Sequence, residues 1–188
     1  LTMVGPNSPD KPLMFLQSAH HYLDHEAFDL PTANADGEPV LNLTPEQRYT
    51  FDTQGWIVIP GLLSESDAAE MRDFCVRVHS DPESLPEPER CGIAGPLEKL
   101  TDHPFIVGFM NEFLAHPELS SQDCYGFRME SASICVRKQG EGAFAPHNGN
   151  GLLRLPGDGL NYRCVPGLAR SSLTCVVWEF NEVEPNGG

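Results

Sequence analysis

The feature that most constrains this chain is a change of hydrophobic period partway along it. Between Ser64 and Leu114 the apolar residues of two segments recur at three- and four-residue spacing, and after Cys124 they alternate with polar ones. The first spacing lines one face of a helix and the second one face of a strand. Helices gathered first and strands afterwards, rather than in alternation, predict an α+β fold. Its helices should pack on one face of a mainly antiparallel sheet.

The helical part is punctuated by clear local signals. Thr44-Pro45-Glu46-Gln47 starts a helix: Thr44 caps, Pro45 suits the first helical position and Gln47 completes a capping box. That helix should stop before Gly55. Trp56-Ile57-Val58-Ile59, closed by Pro60-Gly61, reads as a short buried strand. Ser64 then caps a second helix, with Asp67 at its third position and Met71, Phe74, Cys75 and Val78 as its buried face. Residues 80–101 read as a Pro/Glu-rich loop. A third helix follows from Pro104 to about Leu114, carrying Phe105, Ile106, Phe109, Met110 and Phe113 as a wide apolar stripe. The strand part comprises Tyr125, Phe127 and Met129 in alternation, then 133–137, 161–165 and 173–180. A Gly-rich connection at 140–151 carries His147. Residues 1–42 are rich in Pro, Asn, Asp and Gly and read as an N-terminal extension with one short helix near 13–28.

Composition excludes several classes of function. With 12 Lys+Arg against 27 Asp+Glu the net charge is −15. So acidic a chain disfavours nucleic acid and anionic membrane surfaces, both polyanions, as partners. Charged residues at 21% and hydrophobic residues at 40% describe a globular chain rather than a disordered one. No stretch is long and apolar enough to span a membrane, and no signal-peptide pattern opens the chain. None of the six cysteines stands in a CxxC pair, and their spacing matches no closed zinc set. Cys135, Cys164 and Cys175 fall in β-like runs, where a thiol behaves as a small apolar residue. This usage fits a reducing, cytoplasmic setting.

Few residues announce chemistry by themselves. His21 and His25 stand four apart and would share a helix face able to bind a metal, although without an HExxH pattern a polar surface helix is the plainer reading. Asp102-His103 invites a catalytic-dyad reading, with Asp102 as a helix cap the plainer one. His147, in Ala145-Pro146-His147-Asn148-Gly149-Asn150, follows a strand and a Gly-rich turn. A histidine at the rim of a β-barrel is a common metal ligand, whereas a lone histidine is more often structural. Asp158, eleven residues on, would converge on it in a barrel. Arg128, Arg137, Lys138, Arg154 and Arg163 would supply a basic pocket for an anionic ligand. There is no GxSxG elbow, P-loop or dinucleotide fingerprint.

Taken in order, several of these pieces resemble the phytanoyl-CoA dioxygenase family. Thr44-Pro45-Glu46-Gln47, Phe51 and Gly55 through Ser64 resemble its N-terminal helix–strand–helix signature. Val136-Arg137-Lys138-Gln139 followed by Pro146-His147 resembles the strand and turn that deliver its first iron ligand. Val176-Val177-Trp178 through Asn186-Gly187-Gly188 resembles the strand and turn before its second. The resemblance implies a double-stranded β-helix, a jelly-roll or cupin-like barrel, with the N-terminal helices packed on one sheet. It also implies Fe(II), 2-oxoglutarate as cosubstrate, and oxidation of a small-molecule substrate. Two His and one carboxylate would hold iron on one face, leaving positions open for 2-oxoglutarate and dioxygen. His147 matches the first ligand, and Lys138 and Trp178 match positions that contact 2-oxoglutarate. The family's H-x-D reads His147-Asn148-Gly149 here, so glycine stands at the carboxylate position. Three readings follow: Asp158 or Glu141 substitutes, a halide or water fills the place as in halogenating relatives, or no iron binds. The resemblance covers 43–188 as the N-terminal and central part of such a domain, with the barrel incomplete. The distal His and the 2-oxoglutarate-anchoring Arg are then expected beyond Gly188.

Overall fold

A computed structural model describes residues 29–116, 119–138, 140, 162–165 and 168–183. The helix expected near 13–28, with His21 and His25, lies outside these residues, as do Glu141, His147, Gly149, Arg154 and Asp158.

The first helix forms where the local signals place it. Helix α1 spans Pro45–Gln54, and Thr44 accepts from the Gln47 amide while the Gln47 side chain returns to the Thr44 amide at 2.9 Å. It ends at Gly55, whose φ of 77° is left-handed and costs little without a Cβ. The run after it is not a buried strand. Residues 56–59 have no ladder partner among the described residues, and Trp56 and Val58 are 60% and 72% exposed. Ile57 and Ile59 alone turn inward, onto the cluster around Phe51 and Phe109. An apolar run with a single helical layer beneath it can cover only alternate side chains.

Helix α2 spans Glu65–Ser80, with Ser64 accepting from the Asp67 amide at 3.0 Å. Met71 and Phe74 are buried, and Cys75 and Val78 are half-buried beside them. The segment expected as a loop is instead three 3-10 turns: Pro82–Ser84, Glu87–Glu89 and Gly95–Leu100. Each has a proline in its first two positions, where the fixed φ suits a tight turn. The turns carry Leu85 and Leu97 onto Met71 and Phe74 and close a second small core.

Helix α3, Pro104–Phe113, is the centre of the described structure. Every residue in it except Ile106 is buried. Burial extends well beyond the expected stripe, to Asn111 and Glu112, because three segments surround the helix. From α1, the Phe51 ring meets Phe109 at 4.8 Å and Phe113 at 4.7 Å. From the N-terminal side, residues 29–43 form a strap across α3. The Leu41 amide donates to the Pro104 carbonyl at 3.2 Å, and Asn111 donates to the Pro31 carbonyl at 3.0 Å. At the C-terminal end, the Ser171 amide donates to the Phe113 carbonyl at 2.7 Å, and the Arg170 guanidinium donates to the carbonyls of Leu114 and Ala115. A cation there also suits the negative end of the helix dipole. Part of the segment read as an extension is thus built into the helical layer.

The strands are short. Strand β1, Ser120–Ser121, pairs antiparallel with β2, Cys124–Tyr125, and β3, Arg163–Val165, pairs antiparallel with β4, Leu168–Arg170. The runs 133–137 and 173–180 have no ladder partner among the described residues, and those residues contain two two-stranded sheets and no closed barrel. Alternation marks which side chains face a core; pairing is decided by whichever backbone lies alongside. Phe127 and Ala169 lean on the first core and Ile134 and Phe180 on the second, so these runs pack against the helices. Cys135 and Cys175, expected to pack as small apolar residues, are exposed.

Candidate functional site

The N-terminus of α3 gathers polar and aromatic side chains from separate segments. His103 is its N-cap, and its Nδ1 accepts from the Phe105 amide at 3.2 Å. Nδ1 therefore accepts and carries no proton. Asp102, the residue expected to cap, does something else. One carboxylate oxygen, Oδ2, accepts from the Ala35 amide of the strap at 3.0 Å and from the Tyr125 hydroxyl at 2.7 Å. The dyad reading fails on this geometry: Nδ1 of the imidazole is committed to the Phe105 amide, and Oδ2 of the carboxylate to the strap and Tyr125.

The electrostatics follow from these contacts. Burial lowers the His103 pKa, and the Leu62 carbonyl, Glu38 and Asp102 partly oppose it. The Tyr125 phenol is pushed up to about 12, first by burial and then by the Asp102 carboxylate that accepts its proton. Tyr125 thus remains a donor at neutral pH. Its ring stacks on Phe127 at 5.3 Å with 17° between planes.

Of the residues singled out by the resemblance, Trp178 joins this corner. It is half-buried, with its ring 5.4 Å from His103 and tilted 62° to it. Lys138 is exposed, and His147 lies outside the described residues. Among the described residues no three His, Cys, Asp or Glu side chains come together in a way that would hold a metal ion. The described residues therefore do not themselves fit an iron site. The corner supplies a neutral imidazole, a protonated phenol, a carboxylate and an indole face. It can hold and orient a polar group, and it lacks an activated nucleophile.

Two further polar features escaped the sequence reading. Glu112, buried in α3, forms a bidentate ion pair with Arg48 of α1; Nη2 reaches Oε2 at 3.0 Å. Gln122, in the turn between β1 and β2, donates to the Asp29 carboxylate and the Leu30 carbonyl and accepts from the amide and hydroxyl of Thr32. Asn111-Glu112 interrupting an apolar helix was the available signal for the first; nothing local marks Gln122.

No family model matches the chain, and no match is found among curated proteins or solved structures. No helix among the described residues is long and apolar enough to cross a membrane.

Proposed function

We propose that the chain is part of an Fe(II)- and 2-oxoglutarate-dependent oxygenase of the phytanoyl-CoA dioxygenase type, acting on a small molecule. The reading rests on one observation: the ordered series Thr44–Gln47, Gly55–Ser64, Val136–Gln139, Pro146-His147 and Val176–Trp178. Its first two pieces fold as one capped unit, helix α1, the turn at Gly55 and the start of α2, which is compatible with the helical layer of such a domain. The jelly-roll barrel belongs to the proposal. So do iron, held in part by His147, and 2-oxoglutarate contacted by Lys138 and Trp178. Iron would supply the oxidising power, and the chain's task would be to orient the substrate and exclude water. Trp178, fixed against His103, offers a preset apolar face for that purpose. A cytoplasmic location, drawn from the cysteine usage, and the lack of nucleic-acid partners, drawn from the charge of −15, belong to the same reading.

A second reading follows from Gly149 at the carboxylate position: a jelly-roll binding protein without a working iron site, or a halogenase-like variant with an open coordination place. Expression of the complete reading frame with Fe(II), 2-oxoglutarate and a substrate panel separates them. Iron-dependent formation of succinate, abolished by His147→Ala, supports the oxygenase. Chloride incorporation into product identifies the halogenase variant. Absence of both turnover and calorimetric Fe(II) or Mn(II) uptake overturns the oxygenase and leaves the binding protein.

A further inference from the structure

His103 is the N-cap of the most buried helix, and a titratable group does the capping. Serine, threonine, asparagine and aspartate do this work elsewhere because their oxygens accept near neutral pH. An imidazole nitrogen accepts only while unprotonated. Here Nδ1 receives the Phe105 amide at 3.2 Å, and the Trp178 ring lies 5.4 Å from the same ring at 62° to it. The same side chain thus closes the first turn of α3 and seats a tryptophan from a segment some seventy-five residues later in the chain.

We propose that His103 is a pH-sensitive latch: as a neutral imidazole it caps α3 and seats Trp178, and on protonation it releases both. A proton from solvent adds to the Nδ1 lone pair. Two donors, Nδ1–H and the Phe105 amide, then face each other, and a cation sits at the positive end of the α3 dipole. The charged groups facing the ring are Glu38 from the strap and Asp102 beside it; both favour the cation, and burial opposes it more strongly. Asp102 Oδ2 already accepts from Tyr125 and Ala35, so a shift of that carboxylate toward the ring disturbs the strap. Acidification is therefore transmitted to the strap and to the 173–180 segment through the same corner. The folded pKa lies below the ordinary value of about 6.5. The unfolded chain accordingly takes up its proton first, and the latch loses stability as pH falls below about 6.5. The latch stands on the geometry around His103 and does not depend on the oxygenase reading.

The test is a pH titration of the full chain from 7.5 to 5 by NMR, following the His103 Cε1 proton, the Phe105 amide and the Trp178 indole N–H. The three are expected to move with one midpoint below about 6.5. The Phe105 amide, which has only the cap as partner in the first turn, should lose roughly tenfold in protection from exchange. His103→Asn, which keeps an acceptor at the cap and does not titrate, should hold both reporters fixed. If Phe105 and Trp178 stay put while His103 titrates, or if they still move in His103→Asn, the latch is overturned. Should His103→Asn fail to fold, the wild-type midpoints decide alone: a shared midpoint supports the latch and separate ones overturn it.

Discussion

Replacing Gly108 by alanine sets helix propensity against tertiary packing, and the two predict opposite signs. Gly108 lies in the middle of α3, where alanine is worth about 1 kcal/mol of added stability in an ordinary exposed helix. The strap crosses at this point. A Cβ built on Gly108 overlaps the Leu41 carbonyl oxygen, with the Leu41 carbonyl carbon at 2.8 Å and a Val40 methyl at 3.1 Å. Two of those three atoms are backbone, so no side-chain rotation relieves the overlap. Overpacking of this kind costs about 1–3 kcal/mol. Lifting the strap also strains the bond from the Leu41 amide to the Pro104 carbonyl, worth about 1 kcal/mol. The sum less the propensity gain leaves a net loss of about 1–3 kcal/mol. For a chain of this length that lowers the melting temperature by roughly 4–8 °C at the middle of that range. Thermal and urea unfolding of the full chain, wild type against Gly108→Ala, gives the global number. Hydrogen exchange at residues 38–42 locates the change. A variant as stable as wild type, or more stable, refutes the close approach of strap and helix and leaves propensity as the governing term.

Two more substitutions probe the same layer. Glu112→Ala leaves Arg48, itself only 27% exposed, facing an apolar helix, and should cost about 2–3 kcal/mol in urea unfolding. Adding Arg48→Met to Glu112→Leu should recover most of that loss, and equal losses in the single and double variants would show that the pair is not coupled. Gln122→Ala removes the side chain that binds Asp29, Leu30 and Thr32 together. It should raise amide exchange across 30–35 severalfold for about 1 kcal/mol of global stability. Unchanged exchange there would mean the strap is held by its contacts with α3 alone.

The parts of the fold that could be read from sequence are those settled within a few residues. Thr44 and Gln47 complete a capping box because the partners lie three positions apart on the same turn. Gly55 ends α1 because its backbone alone adopts φ near 77° without penalty. The apolar face of α2 follows from its period. The three 3-10 turns were hidden in a Pro/Glu-rich stretch: proline marks where a regular helix cannot continue, and it does not say whether a tight turn or an open loop replaces it. The candidate corner was half visible. Asp102 and His103 stood out as a pair, yet their roles were exchanged, because capping depends on which side chain can fold back to the Phe105 amide.

The sequence alone determined the positions of α1, α2 and α3, the surplus of negative charge and the residues that carry the oxygenase resemblance. These depend on local hydrogen bonds, on residue period and on residue identity. The tertiary structure alone decided that α3 lies at the centre, that residues 29–43 cross it at Gly108, and that Trp178 comes to rest on His103. It also decided that 56–59 would bury one face only. The reason is common to all four. A side chain's period states that it wants cover, whereas the identity of the cover depends on segments tens of residues away meeting by packing. Such meetings leave no trace in the spacing of either segment.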